Sequence, residues 1–414
     1  MIRHLIRLMW NRKRQNLLLF AELFFAFLVA TAAAVIVVHF GNNARQPLGF
    51  HADRVWTIEV SPGRAGGADD TAAKERDRQL MRDVMREVAA VPGVEALSAA
   101  FTGPYRWYSW TSTLDLEDGR SIYHSVNHAD DRFKDVLGVD VLAGRWFSRE
   151  DDGGTTQAVV MNERLAREVF GATDPVGQVL RPRPSRLPGA DSSGVPLRVV
   201  GVIRDFRQFG ELSTPDSVLI YRDAIDGPIA SVRLPDVLLV RVAPGSTAEL
   251  EERIVRRLDV VAPGWTATVQ PIAAMRESML RDNAIPLAIF GVLAGSMLLM
   301  VAMGLSGVLW QNVTRRTREF GLRRAQGATA HAISRQIVAE FLVLTTFAVL
   351  AGIVLLAQIP LLPFPPDLTL VPRGVFVFGM LVAVAAMYGV TALCAWYPSR
   401  LATRIPPAEA LHYE

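Results

Sequence analysis

The chain has 414 residues, half of them hydrophobic, with 44 Lys+Arg against 41 Asp+Glu and a formal net charge of +3. These totals exclude a disordered chain, a collagen-like repeat and a disulfide-stapled mini-protein. The single Cys394 rules out an internal disulfide and any zinc site built on two or more cysteines. The lysines are Lys13, Lys74 and Lys134, none of them after a glycine, so the Gly-Lys-Ser/Thr of a nucleotide-binding Walker A loop is missing.

Residues 2–14 put Ile2, Leu5, Ile6 and Met9 on one face and Arg3 and Arg7 toward another. Residues 1–16 are therefore predicted as an amphipathic helix at a membrane interface, with a signal n-region as the alternative. Residues 17–40 form an apolar run interrupted only by Glu22. Ala30-Thr31-Ala32 has the small-x-small pattern of a leader cleavage site. The run continues through Val35–Val38, however, and its length fits a retained first span better. Glu22 is a functional candidate because acids inside a span are expensive, although its place near the start of the run lets it reach the interface.

Residues 41–270 are long enough for a soluble domain with its own core. Short β-rich runs (Val55–Val60, Ala158–Met161, Leu197–Val202, Asp236–Val242) mix with three helical stretches. The first, 72–91, sets Leu80, Val84, Val88 and Val91 on one face; the second, 162–170, starts at the N-cap Asn162 and stops at Gly171. The third, 247–261, ends before Pro263-Gly264. The expectation is an α+β domain with the Pro/Arg-rich stretch 181–196 as an exposed loop. His124 and His128, with Asp130 and Asp131 following, would suit a metal on a helix. Tyr123, Ser125 and Val126 instead suggest a strand, where positions i and i+4 lie too far apart for one ion. They read as surface polar residues. With no HExxH, no GxSxG and no singled-out carboxylate pair, no catalytic residue, metal site or cofactor site is predicted.

Residues 271–283 read as a stalk with Ile272, Met275 and Met279 on one side, followed by a charge-free second span, 284–312, in which Pro286 could introduce a kink. Gly291 and Gly295 form a GxxxG within it, which permits close helix packing in a dimer. Third and fourth spans follow at 337–359 and 374–396, joined by a short connection, 360–373, and a tail, 397–414, closes the chain. Basic residues flank the spans unequally. Arg3, Arg7, Arg12, Lys13 and Arg14 precede the first, and Arg315, Arg316, Arg318, Arg323, Arg324 and Arg335 lie between the second and third against the one acid Glu319. The positive-inside rule places these segments and both termini in the cytoplasm, with 41–283 and 360–373 outside. Residues 41–283 hold 30 Lys+Arg and 35 Asp+Glu, whereas the remainder holds 14 and 6. The basic excess thus follows topology and does not indicate nucleic-acid binding.

The cytoplasmic connection, 313–336, carries the most specific signal. From Arg315 it reads RRTREFGLRRAQGAT, with Glu319 four residues before Arg323, the favourable order for a helical ion pair. Phe320 and Ala325 add small apolar surface, Gly327 breaks the helix, and Thr329 can cap the next one. Composition alone favours a basic loop at the membrane surface. The run EFGLRRAQGAT with Ile333, Gln336, Ile337 and Glu340 resembles, however, the signature after the second membrane helix of FtsX/MacB-type permeases, the type VII ABC transporters. Tyr397–Ala402 and Ile405–Leu411 are similar to that family's tail. Phe133–Gly138, Leu142–Phe147 with Asp151, Val159–Asn162, Phe170-Gly171, Asp174–Gly177 and Val199–Val202 resemble, in order, stretches of the MacB periplasmic core domain.

The resemblance implies four transmembrane helices with a large α+β extracytoplasmic core-like domain in the bacterial inner membrane. It further implies a permease that pairs with a second copy or a paralogous permease and is driven by two copies of a separate LolD/MacB-like ATPase, which binds the ATP and Mg. Arg315, Arg316, Arg318, Glu319, Phe320, Gly321, Arg323, Arg324 and Gly327 would form the coupling helix, through which ATP hydrolysis drives mechanotransmission and export of substrate from the outer side of the membrane. A membrane-fusion adaptor and an outer-membrane channel are the further partners of an efflux role. The alternative implied by FtsX-type relatives is a regulator that signals to an extracytoplasmic hydrolase or sensor.

Overall fold

The computed structural model describes residues 13–62, 71–106, 109–116, 118–153, 155–181, 195–225, 234–315, 322–323, 326–359 and 371–402. The predicted interfacial helix 1–16 and the loop 181–196 lie almost wholly outside these residues. The chain divides into two units, Asn43–Asp282 and the pair Met1–Asn42 with Asn283–Glu414.

Among the described residues, four helices are long and apolar enough to cross a membrane. They are α1 (Lys13–Asn43), α6 (Ile272–Arg315), α7 (Ala330–Leu356) and α8 (Arg373–Ala402). Each is apolar on nearly all sides, as expected of a helix solvated by lipid and by its neighbours. Their shared core joins Leu23 and Phe27 of α1, Val301 of α6, Phe341 and Ala348 of α7, and Met387 of α8. Glycines admit the closest approaches. A Cβ at Gly379 would lie 2.6 Å from the Val35 Cα, and one at Gly352 would lie 2.4 Å from the Phe27 ring. Hydroxyls tie α7 to α8: Thr345 to Thr391 at 3.0 Å and Thr346 to Tyr388 at 2.8 Å. In hydrocarbon such pairs keep polar side chains satisfied.

The other unit is built on one mixed sheet. Its strands are β1 (Val55–Ser61), β2 (Val94–Ala100), β3 (Trp110–Asp115), β4 (Ser121–Ala129), β5 (Val141–Gly144), β6 (Gln157–Asn162), β7 (Val179–Leu180), β8 (Leu197–Ile203), β9 (Val218–Arg222), β10 (Val237–Val242) and β11 (Thr266–Pro271). The order is β11-β1-β10-β2-β4-β9-β6-β8-β5, with β3 on β4 and β7 on β8. Period-two alternation assigns each strand's residues to two cores. On one face, α2 (Thr71–Ala89) and α5 (Ala248–Val261) cover Ile58, Leu97 and Leu238, while α4 (Glu163–Phe170) covers Val159, Leu219 and Val199. On the other, α3 (Phe133–Leu137) packs its Phe133 with Trp146, Val160, Ile220 and Leu239. Ile272 and Met279, from the first turns of α6, are buried in that same core. The side of 271–283 that reads as a stalk stripe is therefore domain core, and α6 continues as a helix through Pro286.

The seam between β2 and β4 is narrow, with the single register pair Ala100↔Ala129. Asp130 reinforces it by accepting from the Ser98 hydroxyl at 2.6 Å and the Ala99 N–H at 2.8 Å. The helical stretches read from periodicity are present with ends within two residues, and Asn162 caps α4 by accepting from the Leu165 N–H at 3.1 Å.

Several of the motifs quoted above meet on β8. Gly144 pairs with Gly201, and a Cβ at Gly201 would lie 2.2 Å from the Arg145 carbonyl oxygen, so neither motif tolerates a side chain there. The Gly177 N–H donates to the Val199 carbonyl at 2.8 Å. Arg145 grips Asp151 with two parallel bonds of 2.7 and 2.8 Å, and the Ser148 N–H adds a third at 3.0 Å. Burial pushes the Asp151 carboxyl up, but these bonds and the charges of Arg145 and Arg198 outweigh it and hold the group below its ordinary range. A depressed carboxyl contributes stability at neutral pH that disappears as pH falls through its folded-state value. Asp151→Asn is expected to lower stability by about 2 kcal/mol at pH 7, with the gap to the parent closing below about pH 4. Thermal unfolding of the solubilised chain at pH 7 and pH 3 checks this, and an equal deficit at both would contradict it.

Candidate functional site

The connection between α6 and α7 is where the sequence concentrates its basic residues. α6 ends at Arg315, Leu322 and Arg323 are helical again, and Gly327 turns the chain with φ +95°, a conformation that suits glycine. Thr329 then caps α7, its side chain accepting from the Ala332 N–H at 3.2 Å. Arg316, Arg318, Glu319, Phe320, Gly321 and Arg324 lie outside the described residues, as does the side chain of Arg315.

Arg323 shows how the connection is held. Its Nη1 donates to the Gln336 Oε1 of α7 at 2.8 Å, and Gln336 Nε2 reaches Glu340 at 3.5 Å. One turn apart on the same helix, Ile333 and Ile337 are buried in the membrane core. The four motif residues thus split into two jobs: the isoleucines anchor α7, and Gln336 with Glu340 forms a polar rail under the connection. Sequence reasoning paired Arg323 with Glu319 and did not find Gln336 as a partner. The signal was present in the i,i+4 spacing of Gln336 and Glu340, which share a helix face with Ile333 and Ile337.

Gly291 and Gly295 lie on α6 where an added Cβ would meet nothing within 4 Å, so within the described chain they serve no close packing. The outward side of α6 is also apolar, with Ile289, Val292, Leu299 and Met303 exposed. Glu22 is half-buried, and its carboxylate sits on α6 at Gly304, where a Cβ would lie 2.7 Å from Oε2. The glycine makes room for the acid at a contact between helices.

The histidine reading needs one correction. β4 does carry both residues on a strand, but His124 is buried, not a surface residue, with Nδ1 3.3 Å from the Ile122 carbonyl oxygen. Burial lowers its pKa to about 4, so it is neutral at physiological pH. His128 stacks on Tyr221 and lies 3.7 Å from the Asp223 carboxylate. Among the described residues, no group of three or more His, Cys, Asp or Glu side chains could hold a metal ion.

Comparison with known proteins adds the following. Residues 25–257 match the MacB-like periplasmic core domain, and residues 291–407 match the FtsX-like permease C-terminal model. An uncharacterized ABC transporter permease of Bacillus subtilis (strain 168), YvrN, is 27% identical over 328 residues, covering 72% of this chain and 74% of that protein. The macrolide export ATP-binding/permease protein MacB 2 of Aeromonas hydrophila is 25% identical over 393 residues, 94% of this chain and 57% of that protein. The chain thus spans just over half the length of such fused relatives. The periplasmic region of MacB from Actinobacillus actinomycetemcomitans aligns with 55% of this chain and 94% of that structure at 14% identity, with a TM-score of 0.38.

Proposed function

The chain belongs to the MacB/FtsX family of ABC-transporter permeases, and from that premise we propose that it is the moving permease of an export assembly whose ATPase lies outside these 414 residues. In this reading the unit 43–282 is extracytoplasmic, both termini are cytoplasmic, and the connection 313–336 docks on the ATPase. A second permease, identical or paralogous, packs along the open α6 face at Gly291 and Gly295. Two LolD/MacB-like ATPase subunits bind the ATP and Mg, and an adaptor and an outer-membrane channel complete the route for an efflux substrate.

One observation carries the proposal: α6 is a continuous helix of 44 residues. Its first turns, at Ile272 and Met279, belong to the domain core, and its last residue, Arg315, opens the basic connection. At 1.5 Å per residue it is about 66 Å long, more than a bilayer needs. The domain core and the basic connection thus share one helix with no intervening loop, which supports a role in passing on displacement, and Arg323 on Gln336 fastens the connection to α7.

The purified chain alone is expected to hydrolyse no ATP, and to raise hydrolysis when its ATPase partner is supplied. Glu319→Ala with Arg323→Ala is expected to lower that stimulated rate about tenfold, the loss of roughly one charge-assisted bond. Unchanged stimulation would refute the docking role. In a Cys394→Ala background, Arg318→Cys and Trp107→Cys should label from opposite sides of the membrane, and labelling from one side would refute the topology. Co-purification with a hydrolase and no transported substrate would favour the signalling role over export.

A further inference from the structure

The loop after β8, residues 204–213, is held by Arg207, a fully buried guanidinium (1% exposed) whose acceptors are backbone carbonyls. Nη1 donates to the Asn43 carbonyl at 2.7 Å and the Gln46 carbonyl at 3.2 Å. Nη2 donates to the Glu211 carbonyl at 2.5 Å and to that of Ser213. Asn43 returns a bond from Nδ2 to the Leu212 carbonyl at 3.0 Å, and the Arg207 N–H donates to Leu48 at 3.0 Å. Asn43 is the last residue of α1, so the loop grips the chain directly where that helix ends. Four carbonyls from two segments converge on one planar donor fork, a geometry a lysine ammonium cannot reproduce.

The same loop also grips α6. Glu211, nearly buried, accepts from the Arg276 Nε in the second turn of that helix and from the Tyr105 hydroxyl at 3.2 Å. The loop itself is stiffly backed. Tyr105 adopts a left-handed φ of 60°, its N–H donates to the Gln208 carbonyl at 2.7 Å, and its ring lies so near Gly210 that a Cβ there would sit 2.5 Å away. These side chains reach 164 and 65 positions along the sequence.

We infer that residues 204–213 form a clasp in which Arg207 holds the end of α1 and Glu211 holds the start of α6, making Glu211 and Arg276 positioning residues that force both membrane-linked segments to move together. The functional half of this inference rests on the permease reading above. If α6 is the element displaced from the ATPase side, the clasp delivers its movement to the domain as one body and keeps α1 in step with it.

The test uses the full chain with its ATPase in lipid nanodiscs, labelled chain diluted in unlabelled. Spin labels replace the exposed Arg45 and Glu277 in a Cys394→Ala background, and pulsed electron resonance reads their separation with and without ATP. The parent is expected to give one narrow distance that ATP does not broaden. Glu211→Gln and, separately, Arg276→Gln should broaden it at least twofold at an unchanged melting temperature. Stimulated ATPase should survive in the single variants while the ATP-dependent displacement of a second label pair, on the exposed Val260 of two copies, falls about threefold. Single variants that keep the narrow distance overturn the clasp. A parent in which ATP moves the Val260 labels not at all overturns the permease reading instead, and the Arg45–Glu277 width still decides the clasp.

Discussion

Gly379→Val prevents the four apolar helices from closing. The position on α8 faces the backbone of α1, where an added Cβ would lie 2.6 Å from the Val35 Cα and 2.8 Å from its N. A flexible side chain could swing aside, but a helix backbone cannot move without taking its whole turn with it. Overpacking of a well-filled core costs roughly 1–3 kcal/mol when side chains can yield. Here the obstacle is main chain, and the cost should be at or above the upper end of that range, a large part of a typical 5–15 kcal/mol stability. Gly389→Val on the same helix is the control, because a Cβ there meets nothing within 4 Å. Recovery of monodisperse protein after detergent extraction is expected to fall at least fivefold for the first variant and to stay near the parental level for the second. Equal recovery would mean that α1 and α8 do not pack at this point.

Arg207→Met removes about the same volume of polar fork as it adds of apolar chain, and so isolates the loss of hydrogen bonding from the loss of packing. The Asn43, Gln46, Glu211 and Ser213 carbonyls lose a charged donor in a site closed to solvent. Each buried unsatisfied group costs about 1–3 kcal/mol, and local relaxation recovers part of the total, leaving a loss of about 3–5 kcal/mol. For a domain of this size that corresponds to a melting shift of roughly 10 °C. Arg207→Lys should recover only part of it, since one ammonium cannot reach four acceptors in a planar fork. Burial already pushes the Arg207 pKa down, with the nearby Glu211 and Tyr105 opposing that shift, so the charge is retained in a costly place. A shift below 2 °C for the methionine variant would show that the carbonyls find other partners.

The spans and the helices of the domain were legible because their signals are local. A charge-free run of the right length, or apolar residues at steps of three and four, needs no knowledge of what lies opposite. Strands were half legible. β1, β6, β8 and β10 are mainly apolar runs rich in valine and buried on both faces, and they stand out. β2, with its three alanines, and the two-residue β7 owe their state to their neighbours. The motif stretches around Gly144, Asp151, Gly177 and Gly201 were visible as strings, but not the reason they recur together, which is that all of them meet at β8.

The candidate site divides in the same way. The cap at Thr329 and the four spans follow from residue type and spacing, because helix termini and membrane insertion are decided within a turn or two of chain. The exposed state of Gly291 and Gly295, the seat of Glu22 on Gly304, the bond from Arg323 to Gln336 and the burial of His124 were decided only by folding. So was the clasp, since no periodicity links Asn43, Arg207, Glu211 and Arg276. A long-range hydrogen bond depends on where two segments are brought by the packing of everything between them, and that information is spread over the whole sheet.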